Sequence, residues 1–462
     1  MIAKHDAEFA LSRAMRTGAD FAELFVEDVE SGAIKLLDSR IEGANRARTR
    51  GAGIRVFRGV ETAYAYTNDL TAKGLAAAAE AAAAALGTAG EAPRISLVRG
   101  VAPNRHPILR LPADVPGKRR AELLRSADAA ARALSPEIRQ VSAGITDEYQ
   151  RVLIANTEGL LVQDERAHTR LVCTAVASSE TENQYGTESP GAQAGFEFLE
   201  GLDVAYLGRK AATSALTMLH ARPCPAGAMP VVIENGFGGV IFHEACGHSL
   251  EATSVGLDSS VFCGKLGQKI AADCVNAVDD GTIPNAWGSL NLDDEGMPAQ
   301  RNVLIENGVL KGYLVDRLGS RRMGMPRTGS ARRQDYTFAP TSRMTNTFIC
   351  AGEDDGDEMI ATMGDGLYAA KMGGGSVNPV TGEFNFTVAE GYLVRDGKIV
   401  EPVRGASLIG KGSEILFHID RVGKNLARAQ GVCGSLSGGV PVDVGQPRIR
   451  VSSITVGGRE RG

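Results

Sequence analysis

Three prolines within eight residues, Pro223, Pro225 and Pro230, interrupt this chain near its middle. Proline has no backbone N–H and a fixed φ, so neither a helix nor a central strand runs through such a segment. A chain of 462 residues exceeds what one hydrophobic core ordinarily organises. It is expected to divide where few elements cross. The proline cluster therefore marks a boundary between an N-terminal domain over 1–222 and a C-terminal domain over 223–462.

Ahead of the cluster, helices and strands mix. Helices are expected over 7–15, 70–86, 118–134 and 204–219; the second is alanine-rich and follows a capping Asn68-Asp69. Strands are expected at 21–29, 33–37, 141–146, 149–155, 160–164 and 170–178, with a hairpin over 53–67 turning at Arg58-Gly59. Pro93, Pro103, Pro107, Pro112 and Pro116 mark a long surface connection. Past the cluster, 230–234 reads as a short apolar strand, and Gly236, Gly238 and Gly239 lead into a helix. The rest is rich in glycine, threonine and valine, with strands expected at 301–306, 309–315, 384–393, 398–403 and 448–456. The fold class is α+β: a mixed first domain, then a strand-rich domain.

The helix after the glycines carries His243-Glu244-Ala245-Cys246-Gly247-His248-Ser249-Leu250-Glu251-Ala252. Two of only seven histidines fall within six positions, with a carboxylate beside the first. Neutral imidazoles hold a Lewis-acidic ion, and an adjacent acid manages a proton, so the pattern suits a hydrolytic metal site. The usual zinc motif spaces its histidines four apart, on one helix face. Here the spacing is five, which on a regular helix splays the rings by roughly 140°. A π-bulge or an early helix end restores convergence, and Gly247 permits such a departure. Glu244 is placed as general base. Glu251 reads equally as a residue orienting a ligand or as an exposed helix carboxylate. A third ligand is required. Cys246, Cys433 in the glycine-flanked loop 431–439, and His418 all remain open at this point.

Composition narrows the function class. A net charge of −5 without a long Lys/Arg run gives no electrostatic case for nucleic acid. The first residues lack a signal-type apolar core, and no uncharged run reaches membrane-spanning length. Seven scattered cysteines, odd in number and without a CxxC pair, argue against a disulfide framework and for a reducing cytoplasm.

Several separated stretches together resemble the TldD/PmbA family of zinc metalloproteases. They are Gly18–Leu24, Thr67–Leu70, His243–Glu251, Arg343–Thr347, Gly373–Gly382, Pro402–Ala406 and Cys433–Pro447. The resemblance implies a zinc site of His243, His248 and Cys433, with Glu244 as general base. It favours Cys433 over Cys246 as the third ligand. Because the HExxxH segment is intact, the chain resembles the active TldD type. It also implies a homodimer or a heterodimer with a PmbA-like paralogue, and cleavage of unfolded peptides in the cytoplasm.

Two further stretches invite a role. Gly373-Gly374-Gly375 exposes unobstructed backbone N–H groups that suit pairing with an extended peptide, or else forms a tight turn. Arg321-Arg322 and Arg332-Arg333 read as solvated basic loops, or as anchors for a substrate carboxylate. The leading expectation is a zinc-dependent peptidase. The alternatives are a non-catalytic peptide-binding or partner subunit, and a metal-dependent hydrolase acting on a non-peptide amide.

Overall fold

The computed structural model describes residues 1–87, 90–378 and 381–458. Pro379-Val380, at the end of the second glycine-rich stretch, lies outside them. The chain is α+β, and strand content dominates after residue 220.

An eight-stranded sheet organises the first half. Its spatial order is Glu61–Thr67, Arg40–Arg58, Phe21–Leu37, Ile138–Asn156, Leu160–Ser178 and Val98–Arg99, with Asn183–Glu188 and Gly191–Ala192 also paired to Leu160–Ser178. Alternation of side chains sets its two faces. Leu24, Val26, Ile54 and Val56 pack under the helices Lys4–Ala14 and Ala72–Ala84. Ile34, Leu36, Val141 and Leu171 pack under the helices Gly117–Arg132 and Val204–Leu219. The intervening residues Phe21, Glu23, Phe25 and Glu27 point the other way, toward the second half. There the Arg317 guanidinium lies 3.8 Å from the centre of the Phe21 ring, and that of Arg333 lies 4.2 Å from Phe25. Arg55 joins Glu23 of this sheet to Glu295 of the second half, all three buried.

Three expected strand pairs are single long strands, Leu160–Ser178 among them. Phe21–Leu37 runs unbroken for 17 residues and Ile138–Asn156 for 19. The polar gap Glu30-Ser31-Gly32 reads as a break, yet it is paired on both sides. Gly32 is there for space: a Cβ would lie 2.9 Å from the Asp147 carboxylate. That carboxylate is held by Arg120 and Arg46. The alanine-rich helix is capped by Thr71, which accepts from Gly74 N at 3.2 Å, rather than by Asn68-Asp69. Asp69 instead accepts from Thr71 N at 3.0 Å.

In the second half, Gly366–Val377, Gly227–Ile233, Ile449–Gly457, Ser407–Lys411 and Glu383–Arg395 pair in a closed ring. The ring encloses a core of Val231, Leu367, Phe386, Leu408 and Val451. A six-stranded sheet stands beside it, ending in the hairpin Ala427–Ser435 and Gly438–Gln446. Val309–Leu310 is shorter than the expected 309–315 strand. No helix among the described residues is long and apolar enough to cross a membrane.

Candidate metal centre

The segment after Gly227–Ile233 turns through a 3-10 helix, Gly236–Gly239, into the short α-helix Val240–Ala245. Ile241, Phe242 and Ala245 bury into the core of the closed ring. The helix is pinned from two sides by close backbone approach. A Cβ on Gly239 would lie 2.4 Å from the backbone of Gly445, in the late hairpin. A Cβ on Gly412 would lie 1.9 Å from Ala245 O. Glycine at Gly239 thus lets the helix lie directly on the hairpin that carries Cys433.

The helix stops at Ala245, as the five-residue spacing demanded. Cys246 leaves helical geometry at φ −126° and ψ −50°, and Gly247–Leu250 forms a 3-10 turn. The two rings therefore converge, with centroids 5.1 Å apart and planes at 84°. Cys433 Sγ stands 3.3 Å from His243 Nε2 and 3.1 Å from His248 Nε2. Among the described residues this is the only group of three such donors close enough to share an ion. Zinc bonds of about 2.3 Å to sulfur and 2.0–2.1 Å to nitrogen, at tetrahedral angles, put N and S about 3.6 Å apart. The donors fit such an ion after an outward shift of about 0.4 Å.

Electrostatics prepare the sulfur. Burial opposes a thiolate at Cys433, but His243 and His248 outweigh it and lower its pKa to about 4. Burial also opposes charge on His248, yet Glu251 and Cys433 raise its pKa to about 11. A thiolate is the form of Cys433 that ligates metal, and an ion bound there competes with the proton on His248. Burial alone pushes the Cys246 thiol well up, and that residue sits in the apolar core. Cys246 is not brought to the group, and His418 is exposed on a turn. Cys433 lies in a strand two residues before a hairpin turn, not in the flexible loop expected.

Glu251 is 3% exposed, and its Oε2 stands 3.2 Å from His248 Nδ1, so the reading as an exposed helix carboxylate does not hold. Fixing the far nitrogen leaves Nε2 as the donor that faces the sulfur. Glu244 is half-buried with Oε2 3.8 Å from His248 Nε2.

The glycine run Gly373–Gly375 is part of the strand Gly366–Val377, not a turn. Gly373 and Gly375 have no room for a Cβ against Thr387 and Asn385, whereas Gly374 faces open space. Neither arginine pair forms a solvated loop. Arg332 and Arg333 are buried, bonded to Met344 O and Asp294 O, and Arg321 holds Asp20 and Gly59 O.

Sequence reasoning missed two residues at the centre. Arg343, fully buried, donates to Cys433 O, Ser437 Oγ and Gly438 O. Met344 packs against Gly247. Their inclusion in the stretch Arg343–Thr347 was the only sequence signal.

Comparison with known proteins agrees with this architecture. Residues 22–86 match the model for PmbA/TldA metallopeptidase domain 1, 110–219 the central domain, and 226–458 the C-terminal domain. The chain is 37% identical over 450 residues to the Metalloprotease TldD homolog of Haemophilus influenzae, covering 95% of this chain and 93% of that one. It is 34% identical over 235 residues to the Zinc metalloprotease TldD homolog of Saccharolobus solfataricus, covering 50% and 52%. The crystal structure of TldE from Thermococcus kodakarensis shares the fold, with a TM-score of 0.78 at 19% identity over 98% of this chain and 99% of that one. Domain matches along most of the chain and near full-length identity to a TldD homologue place this protein in the PmbA/TldD metallopeptidase family.

Proposed function

We propose that this protein is a zinc-dependent peptidase acting on unfolded or extended peptides. Convergence of His243, His248 and Cys433, separated by up to 190 residues in sequence, carries the reading. A thiolate and two imidazoles select zinc over magnesium or calcium, and the Saccharolobus relative is named a zinc metalloprotease. Bound there, zinc supplies Lewis acidity toward water and the scissile carbonyl.

The chain's own residues do the rest. The Glu244 carboxylate accepts the proton of the attacking water and passes it to the leaving nitrogen. Glu251 holds His248 through Nδ1, and His243 and Cys433 complete the donor set. Gly366–Val377 pairs with Gly227–Ile233 only at Leu367, Tyr368 and Ala369. Beyond that, the side of the strand away from Glu383–Arg395 has no strand partner among the described residues, and Gly373–Gly375 lies on it. An extended peptide adds to such an edge through main-chain hydrogen bonds, which select backbone rather than side chains. We assign domains over 1–222 and 223–462, the second bearing the centre. The working form is a homodimer or a heterodimer with a PmbA-like paralogue, in the cytoplasm.

The test is cleavage of an unstructured peptide by purified protein, with and without a chelator, beside Glu244→Gln. Chelation abolishes cleavage, and the variant loses about 10²–10⁴-fold in kcat. Cleavage surviving both treatments removes the mechanism. Peptide binding by a wild-type protein that takes up no metal leaves the non-catalytic subunit instead.

A further inference from the structure

A buried guanidinium is stable only where its five N–H donors find acceptors. Most buried arginines here face carboxylates at the junction of the two halves: Arg55 with Glu23 and Glu295, Arg166 with Asp294. Arg343 is different. It is 0% exposed, and each hydrogen bond of its side chain ends on the hairpin that carries Cys433. Nη1 donates to Ser437 Oγ and to Gly438 O, each at 2.9 Å, and Nη2 donates to the carbonyl of Cys433 itself. Nε has no hydrogen-bond partner, and neither has Glu251 Oε1. These two atoms face each other as an ion pair at 3.9 Å. The other oxygen of Glu251 is the one that holds His248.

One planar cation thus hydrogen-bonds the thiolate's hairpin and lies, as an ion pair without a hydrogen bond, against the carboxylate behind His248. Its own backbone is anchored independently. Arg343 N donates to Ser330 O at 2.9 Å. Two residues on, Thr345 donates through both N and Oγ1 to the buried carboxylate of Asp279. We infer that Arg343 is a positioning residue that sets the spacing between the Cys433 thiolate and the His248 imidazole. This rests on the reading that those residues hold a metal. Lysine cannot replace it: a point charge lacks the fork that reaches both sides.

The test uses full-length, metal-free protein titrated with Co²⁺, whose thiolate charge-transfer absorption reports the bond to Cys433. Competition with a chelator gives the affinity. Arg343→Lys weakens Co²⁺ binding by about 10–100-fold, the usual effect of losing a group that holds a ligand. It also shifts or weakens the charge-transfer band, while the far-UV circular dichroism of the metal-free protein stays that of wild type. Ser437→Ala removes one acceptor of Arg343, an oxygen that also accepts from Thr341 Oγ1, without touching a metal-binding atom, and lowers affinity by about threefold. Arg343→Lys that folds and binds with wild-type affinity and spectrum overturns the inference. Where Arg343→Lys does not fold, wild-type affinity in Ser437→Ala overturns it. Absence of the charge-transfer band in wild type strikes at the metal reading itself and takes this inference with it.

Discussion

Replacing Gly247 with alanine asks what the glycine between the two histidines is for. Its φ is not in the left-handed region, so an alanine accepts the same backbone. What alanine lacks is room: its Cβ would stand 2.2 Å from Met344 Sδ and 3.1 Å from Met344 Cε. Met344 is 0% exposed, so its thioether must shift within the core to make room. Overpacking of this kind costs about 1–3 kcal/mol. At about 2–4 °C per kcal/mol for a region of this size, the melting temperature falls by about 2–12 °C. Met344→Ala alone costs about 2–5 kcal/mol through the cavity it leaves. In the double variant the new methyl enters that cavity, so the combined cost is smaller than the sum by about 1–2 kcal/mol. Thermal unfolding of wild type, both singles and the double under one set of conditions measures this, with zinc affinity by chelator competition alongside. Additive costs, or a neutral Gly247→Ala, would refute the packing argument and return the glycine to a backbone role.

Cys433→Ala is expected to purify without zinc by elemental analysis, whereas Cys246→Ala keeps wild-type stoichiometry and loses about 1 kcal/mol of stability; zinc lost from the second variant would move the third ligand. Glu27 accepts from Tyr336 N and Gln150 Nε2 at the junction of the halves, and burial holds its carboxyl up at about 7, against an ordinary 4.5. Its proton is held more tightly in the folded state than in the unfolded chain, so stability falls as pH rises from about 4.5 to about 7, by on the order of 3 kcal/mol. Glu27→Gln removes that slope in denaturation curves followed by Trp287, the chain's single tryptophan; equal slopes in the two proteins would show that Glu27 ionises normally.

Where local signals act alone, they place elements well. The helix Val204–Leu219 begins after Asp203, which accepts from Tyr206 N at 2.8 Å, and its amphipathic pattern is enough to find it. The two histidines and their acid are equally visible, because they lie within six residues. Long-range pairing is where local reading fails. Glu30-Ser31-Gly32 has the composition of a turn but remains strand, because arginines and a carboxylate on neighbouring strands satisfy it. The stretch 42–50 likewise shows no strand pattern, being mostly polar and exposed, and is held extended by its pairing with Phe21–Leu37.

The centre divides along the same line. Cys433 is 185 residues from His248, and nothing in its surroundings distinguishes it from Cys246 or His418 until the chain is folded. Only the resemblance pointed to it. The physical choice is made by close approach: Gly239 against Gly445 brings the histidine helix onto the cysteine hairpin, and Gly247 against Met344 seats the turn that aims His248. Once those contacts form, burial in the apolar core pushes the Cys246 thiol pKa up, whereas two imidazoles outweigh burial at Cys433 and bring its pKa down. The selection of the third donor is therefore a consequence of packing between small residues and their neighbours rather than of cysteine chemistry, which starts equal at both positions.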